Sequence, residues 1–95
     1  MNNIINQIFE IDKKTSEQNI DILDRNLKRI YHEFEEMGYK IINPMGNIYD
    51  ERDASIEANI LNPDSNKISK VLKPAIYKSE NNVFVLVQKA VVIVE

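Results

Sequence analysis

Six apolar residues, Ile20, Leu23, Leu27, Ile30, Phe34 and Met37, recur at spacings of 3, 4, 3, 4 and 3 and stop at Gly38. A mean period of 3.5 belongs to a helix that lays one stripe against another helix, as in a bundle or coiled coil. Ile22 and Tyr31 widen the stripe, and no Gly or Pro interrupts it. Gly38 follows as a stop, because glycine takes the left-handed conformation at low cost. The spacing therefore predicts a helix over residues 17–37. Asp21 with Arg25, and Asp24 with Lys28, are acid-to-base pairs four apart that would support it. Beyond Gly38 the period drops toward two. A chain with these two patterns in succession is α+β: amphipathic helices first, then a compact all-β part of short strands.

Residues 2–13 carry a weaker helical pattern, with Ile4, Ile8 and Ile11 on one face and Ile5 and Phe9 extending it. Its register does not run on into the main stripe. Lys13 to Gln18 is therefore a break or a slipped polar stretch, where Thr15 or Ser16 could N-cap a new helix. The stripe has two readings. It could pack on the chain's own β part, or pair with a second copy. A small sheet does not easily cover two apolar helices, and small cores often need oligomerisation. We therefore expect residues 1–37 to be a dimerisation region, with Ile20, Leu23, Leu27, Ile30, Phe34 and Met37 at a homodimer interface, and residues 38–95 to be a β-domain.

Tyr39 to Ile42 reads as a short strand and Asn43 to Asn47 as a turn around Pro44 and Gly46. Ser55 to Leu61 alternates, with Ile56, Ala58 and Ile60 on one face. Asn62 to Asn66 is a polar loop. Ile68 to Leu72 and Ala75 to Tyr77 are strand pieces on either side of Pro74, which removes a ladder donor and marks an edge or a bulge. Ser79 to Asn82 is a hairpin turn. Val83 to Val87 and Ala90 to Val94 are apolar on both faces, as in strands that are buried twice over or covered by a partner. Gln88 and Lys89 between them predict a bulge or a change of sheet.

Side chains for chemistry are scarce. There is no Cys and one His, His32, flanked by Tyr31 and Glu33 off the main stripe. That excludes disulfides, thiol nucleophiles and multi-histidine metal sites. Asp50, Glu51 and Asp53 lack the spacing of a calcium loop and read as turn carboxylates. No phosphate-binding glycine loop occurs. We expect no enzyme, no metal and no cofactor. Residues 1–37 carry eight acidic and five basic side chains, and the remainder is balanced. The basic face that neutralises nucleic-acid phosphates is therefore missing. The longest apolar run, Ala90 to Val94, is too short to span a bilayer, and no secretory pattern follows Met1. A cytoplasmic protein that works by binding is the expectation.

The order of residues resembles one family. Phe34-Glu35-Glu36-Met37-Gly38, then Gly46 and the pair Tyr49-Asp50, is similar to the start of the GrpE β-domain, where a helix ends at Gly and an aromatic-Asp pair follows a second Gly. Ile56-Glu57-Ala58 resembles that family's Glu-Ala strand, and Val71-Leu72 with Tyr77 resembles its Val-Leu-x-x-x-Tyr strand. Ala90 to Val94 resembles its closing strand. Glu51 stands in place of the family's Pro, Ile76 in place of its Gly, and Gln88-Lys89 in place of its Arg-Pro. The long paired N-terminal helix has only residues 2–13 as a counterpart. The resemblance covers residues 34–95. It implies a homodimeric nucleotide exchange factor that binds the ATPase domain of a DnaK-type chaperone and promotes ADP release. It also implies a partner-binding face on the β-domain, which we assign to Gly38, Asn43, Met45, Asp50, Glu57, Lys73, Pro74 and Lys89. The alternative is a dimeric adaptor or assembly protein of the same fold without exchange activity.

Overall fold

Gly38 divides helices from strands in the computed structural model, which describes residues 1–95. Two helices, α1 (Asn2–Glu17) and α2 (Asp24–Glu36), precede six strands. These are β1 (Tyr39–Ile42), β2 (Ile56–Ile60), β3 (Ile68–Lys73), β4 (Ala75–Glu80), β5 (Val83–Gln88) and β6 (Ala90–Val94). The fold is α+β, as the change of period predicts. No helix is long and apolar enough to cross a membrane.

The helix boundary differs from the expected one. Thr15 and Ser16 do not cap a second helix. They lie in the last turns of α1, where the Thr15 hydroxyl donates to the Asp12 carbonyl at 2.9 Å. Asn19 then takes φ 55°. The Ile20 N–H donates to the Thr15 carbonyl at 2.8 Å and the Asn19 N–H to the Ser16 carbonyl at 3.1 Å. That nested pair is the Schellman closure of a helix, with Asn in the place that glycine usually takes. Ile20 therefore lies in the connection, and Leu23 is only the N-cap of α2. Heptad spacing continues across the break without a helix beneath it. The expected Asp21–Arg25 and Asp24–Lys28 ion pairs do not form; the helical pairs present are Lys13–Glu10 and His32–Glu36, both at 3.4 Å.

The strands form two three-stranded sheets, in the orders β1-β4-β5 and β2-β6-β3. The first is antiparallel throughout; in the second, β6 runs parallel to β2 and antiparallel to β3. The chain passes between the sheets three times: through the long connection from β1 into β2, and at two one-residue crossings, Pro74 from β3 into β4 and Lys89 from β5 into β6. Pro74 thus marks a corner, where its missing N–H costs no ladder bond. The Gln88 side chain ties the two one-residue crossings together, donating to the Pro74 carbonyl at 2.9 Å. It also forms a reciprocal amide pair with Asn6 of α1, at 2.8 and 2.9 Å.

Alternation along β4 sets the layers. Ile76 joins Ile5 and Phe34 in a helix-facing cluster, with Ile8, Ile30, Tyr31, Tyr39 and Ile41 around it. Ala75 faces the other way, onto Ile68, Val71, Ala90, Val92 and Val94 of the second sheet, with Tyr77 and Leu86 packed beside it. Phe9 of α1 reaches this second cluster. The buried face of α1 is therefore Ile5 and Phe9, one turn apart, whereas Ile4 and Ile11 of the expected stripe are exposed. Leu27 and Phe34 are buried within the single chain, and Ile20, Leu23 and Met37 are exposed.

Candidate functional site

The second sheet presents its outer face through β6. Val92 and Val94 point into the core, so Val91 and Ile93 point out, and both are half-buried. Register places Glu57 of β2 and Lys73 of β3 on opposite sides of Val91. It places Asn59 and Lys70 on opposite sides of Ile93 in the same way. A short apolar strip is thus flanked by an acidic and amide edge on one side and a lysine edge on the other. Two shifts of register in β3 isolate Lys70 and Lys73 on this outward face while keeping Val71 in the core.

Lys70 also lines a groove of about 390 Å³ at the end of this sheet, with Phe9, Asp12 and Lys13 of α1 and with Asn43 and Met45. The Asn43 side chain accepts from the Met45 N–H at 3.1 Å, a turn that leaves the Met45 thioether exposed. Lys13 closes the wall, its ammonium donating to the Val71 carbonyl at 3.4 Å. The groove is mixed in charge and open to solvent, which suits a partner's side chain better than a buried small molecule.

The remaining expected residues fall in different settings. Gly38 has φ +90°, its N–H donates to the Glu35 carbonyl at 2.9 Å, and its carbonyl accepts from Ser79 at 2.8 Å. It fixes the angle between α2 and the first sheet and is not a contact residue of the outer face. Asp50 accepts from the Arg52 backbone at 2.9 Å and from its guanidinium at 2.9 and 3.1 Å. The Arg52 side chain, then its backbone N–H, hold the Asp50 carboxyl below the usual range. Asp53 caps Ser55 in the same manner, through its N–H at 2.9 Å and hydroxyl at 2.6 Å. These carboxylates order their own loop. Lys89 is exposed at the sheet crossing, next to the outer face. Pro74 is fully buried and leaves the contact set, because the corner it forms lies inside the molecule. His32 stands exposed on α2 with its Nε2 3.4 Å from Glu36.

Of the expected set, the structure brings together Glu57 and Lys73 across β6, and Asn43 and Met45 in the groove. Val91 and Ile93 were missed. Their signal was present in the sequence, since an apolar residue at every position of Ala90 to Val94 leaves an apolar residue facing outward. The chain matches no protein-family model, no curated protein and no solved structure.

Proposed function

We propose that this chain is a protein-binding module, and that it acts as a GrpE-like co-chaperone. In this reading it holds the ATPase domain of a DnaK-type chaperone in an open form and so promotes ADP release. The observation that supports it is the strip of Val91 and Ile93 flanked by Glu57 and Lys73 within the segment that resembles the family. An apolar centre with a rim of both charges is the usual make-up of a protein contact. The chemistry asked of the chain is none. A partner that prefers the open state shifts the equilibrium toward it by its differential affinity alone, and nucleotide leaves. Homodimerisation would present two such faces.

One observation favours the adaptor reading as its rival. Leu27 and Phe34 are buried within the single chain, Phe34 against Ile76 of β4, so part of the helical stripe is already used up in the monomer. An adaptor would use the same outer face without opening a cleft.

The deciding experiment follows release of a fluorescent ADP analogue from a DnaK-type chaperone with and without the protein. The exchange-factor reading expects faster release, lost on Lys73→Glu and on Glu57→Lys with little change in melting temperature. Gly38→Asp is expected to weaken binding more than it lowers stability, by tilting the β part. Binding without faster release supports the adaptor. Neither binding nor release removes the chaperone altogether.

A further inference from the structure

The sheet order leaves four strands at edges, β1, β5, β2 and β3. Open edges are templates for pairing, and soluble proteins block them with charges, prolines or bulges. Three of the four are blocked here. β1 carries Lys40 in a run of only four residues. β2 carries Glu57 and Asn59. β3 carries Lys70 and Lys73, has two register shifts and ends at Pro74. β5 differs. Val83, Phe84, Val85, Leu86 and Val87 include no charge and no proline, and the strand's one bulge lies at its far end, at Val87, which has no partner between the Tyr77–Leu86 and Ile76–Gln88 pairs. The side chains are exposed as well: Val83 is 62% exposed, Phe84 52% and Val85 41%.

The main chain of β5 is open from Val83 to Leu86; beyond that stretch the bulged Val87 carbonyl accepts from the Asn2 side chain of α1 at 3.3 Å. Asn81 and Asn82 have φ 52° and 65°, a two-residue turn that joins Glu80 to Val83. In such a hairpin the closing pair exchanges both its main-chain bonds, and strict alternation follows. Val85 therefore bonds toward β4, while the N–H and C=O of Phe84 and Leu86 face the free edge.

We propose that β5 is a self-association edge, and that its occupant is the β5 strand of a second copy of this chain, antiparallel about a two-fold axis at Val85. Two features select a second copy over another partner. This register lays Phe84, Val85 and Leu86, inside the regular stretch before the bulge, on their counterparts in the other copy, with Phe84 of each copy exchanging main-chain bonds with Leu86 of the other. The ends of the strand also carry opposite charge, Glu80 beside the tip and Lys89 beyond Gln88. An antiparallel pair sets each copy's acidic tip beside the other's lysine, whereas a parallel pair would set like beside like. The contact is isologous, so it uses up both open edges and closes as a dimer. The product is one continuous six-stranded sheet, β1-β4-β5-β5-β4-β1, with the helices of both copies on one face. It leaves the Val91 and Ile93 face free and does not rest on the exchange-factor reading. It also moves the dimer contact away from the helical stripe, whose Leu27 and Phe34 are already inside the single chain.

Sedimentation of the unmodified chain at about 50 μM is expected to show a dimer, as a Kd near or below 1 μM requires. Val85→Lys places two ammonium groups face to face on the axis and is expected to give a folded monomer, weakened about 100-fold or more. Val85→Glu is expected to do the same, with its carboxylate opposite Lys78 on β4 guarding the fold. An equimolar mixture of the two variants is expected to regain the dimer mass, which an unfolded variant would not do. The Phe84 and Leu86 amides are expected to exchange more slowly as the concentration of unmodified protein rises. A wild type that stays monomeric overturns the proposal. So does a mixture that stays monomeric, or a dimer broken by Leu23→Glu and untouched by Val85→Lys.

Discussion

The Tyr31 hydroxyl on α2 is pushed up to about 12, first by burial and then by the nearby charge of Asp12 on α1. The ring also packs edge-on against Phe34 at 6.3 Å. A native pKa above the unfolded one means that the folded state keeps a proton which the unfolded chain gives up. The contribution is therefore complete below pH ~10 and lost as pH rises from ~10 to ~12, by on the order of 1 kcal/mol for a half-buried group. Denaturation at pH ~10 and ~12 checks it, with Tyr31→Phe expected to lose less stability than the parent over that interval. Asp12→Asn is expected to lower the Tyr31 midpoint without restoring the ordinary value, since burial is the larger cause. Gly38 is a second residue whose cost is conformational. A Cβ there would meet the Ser79 Cβ at 3.6 Å, an ordinary contact, yet φ +90° strains any L side chain. Gly38→Ala is expected to cost about 1 kcal/mol or more in chemical denaturation, with no cavity or clash behind it. Gly38 was legible in the sequence because glycine has few other reasons to stand after a helical stripe. Asn19, which closes α1 in the same way, was not, because asparagine is equally at home in an ordinary polar loop.

Strands were the more readable elements. Gly38, Pro44, Gly46, Pro63, Pro74 and the Asn81-Asn82 pair punctuate short apolar runs and separate the strands, except β5 from β6, which are divided only by Lys89. The helices were less readable, because a 3-and-4 spacing survives a chain reversal when the loop contributes exposed Ile20 and Leu23. What joins one element to another was hidden, since the Asn6–Gln88 amide pair links residues 82 positions apart. Gln88→Ala removes that pair and the donor to the Pro74 carbonyl together. A loss of about 1–3 kcal/mol is expected, because partly buried amide and carbonyl groups lose their partners, and Gln88→Glu is expected to fare little better. The opposite sign is expected at the hairpin. Asn82 holds φ 65° in the second place of the turn, where glycine is preferred, so Asn82→Gly should raise stability by about 0.5 kcal/mol. A thermal melt read at the same concentration for both proteins would show a rise of about 2–4 °C.

At the scale of the molecule, only 13 of 95 residues are buried, and the extents of 39 × 38 × 18 Å describe a plate with little interior. A core this thin makes stability sensitive to whatever covers the exposed β5 edge. If a second copy does so, the melting temperature is expected to climb with protein concentration, and to stop climbing in Val85→Lys. The outer face of the second sheet predicts a separate dependence. Binding of a partner by the Glu57 and Lys73 rims is expected to weaken with added salt, while the apolar Val91 and Ile93 strip retains a salt-independent part. The order of the strands within that sheet has a further meaning for a chain made from one end to the other. Its central strand, β6, is the last to be synthesised, so β2 and β3 leave the ribosome with no neighbour between them. The sheet β1-β4-β5 is complete before β6 exists. A released chain of residues 1–88 is therefore expected to protect β4 and β5 from protease while β2 and β3 remain cleavable, and β6 acts as the latch of its sheet.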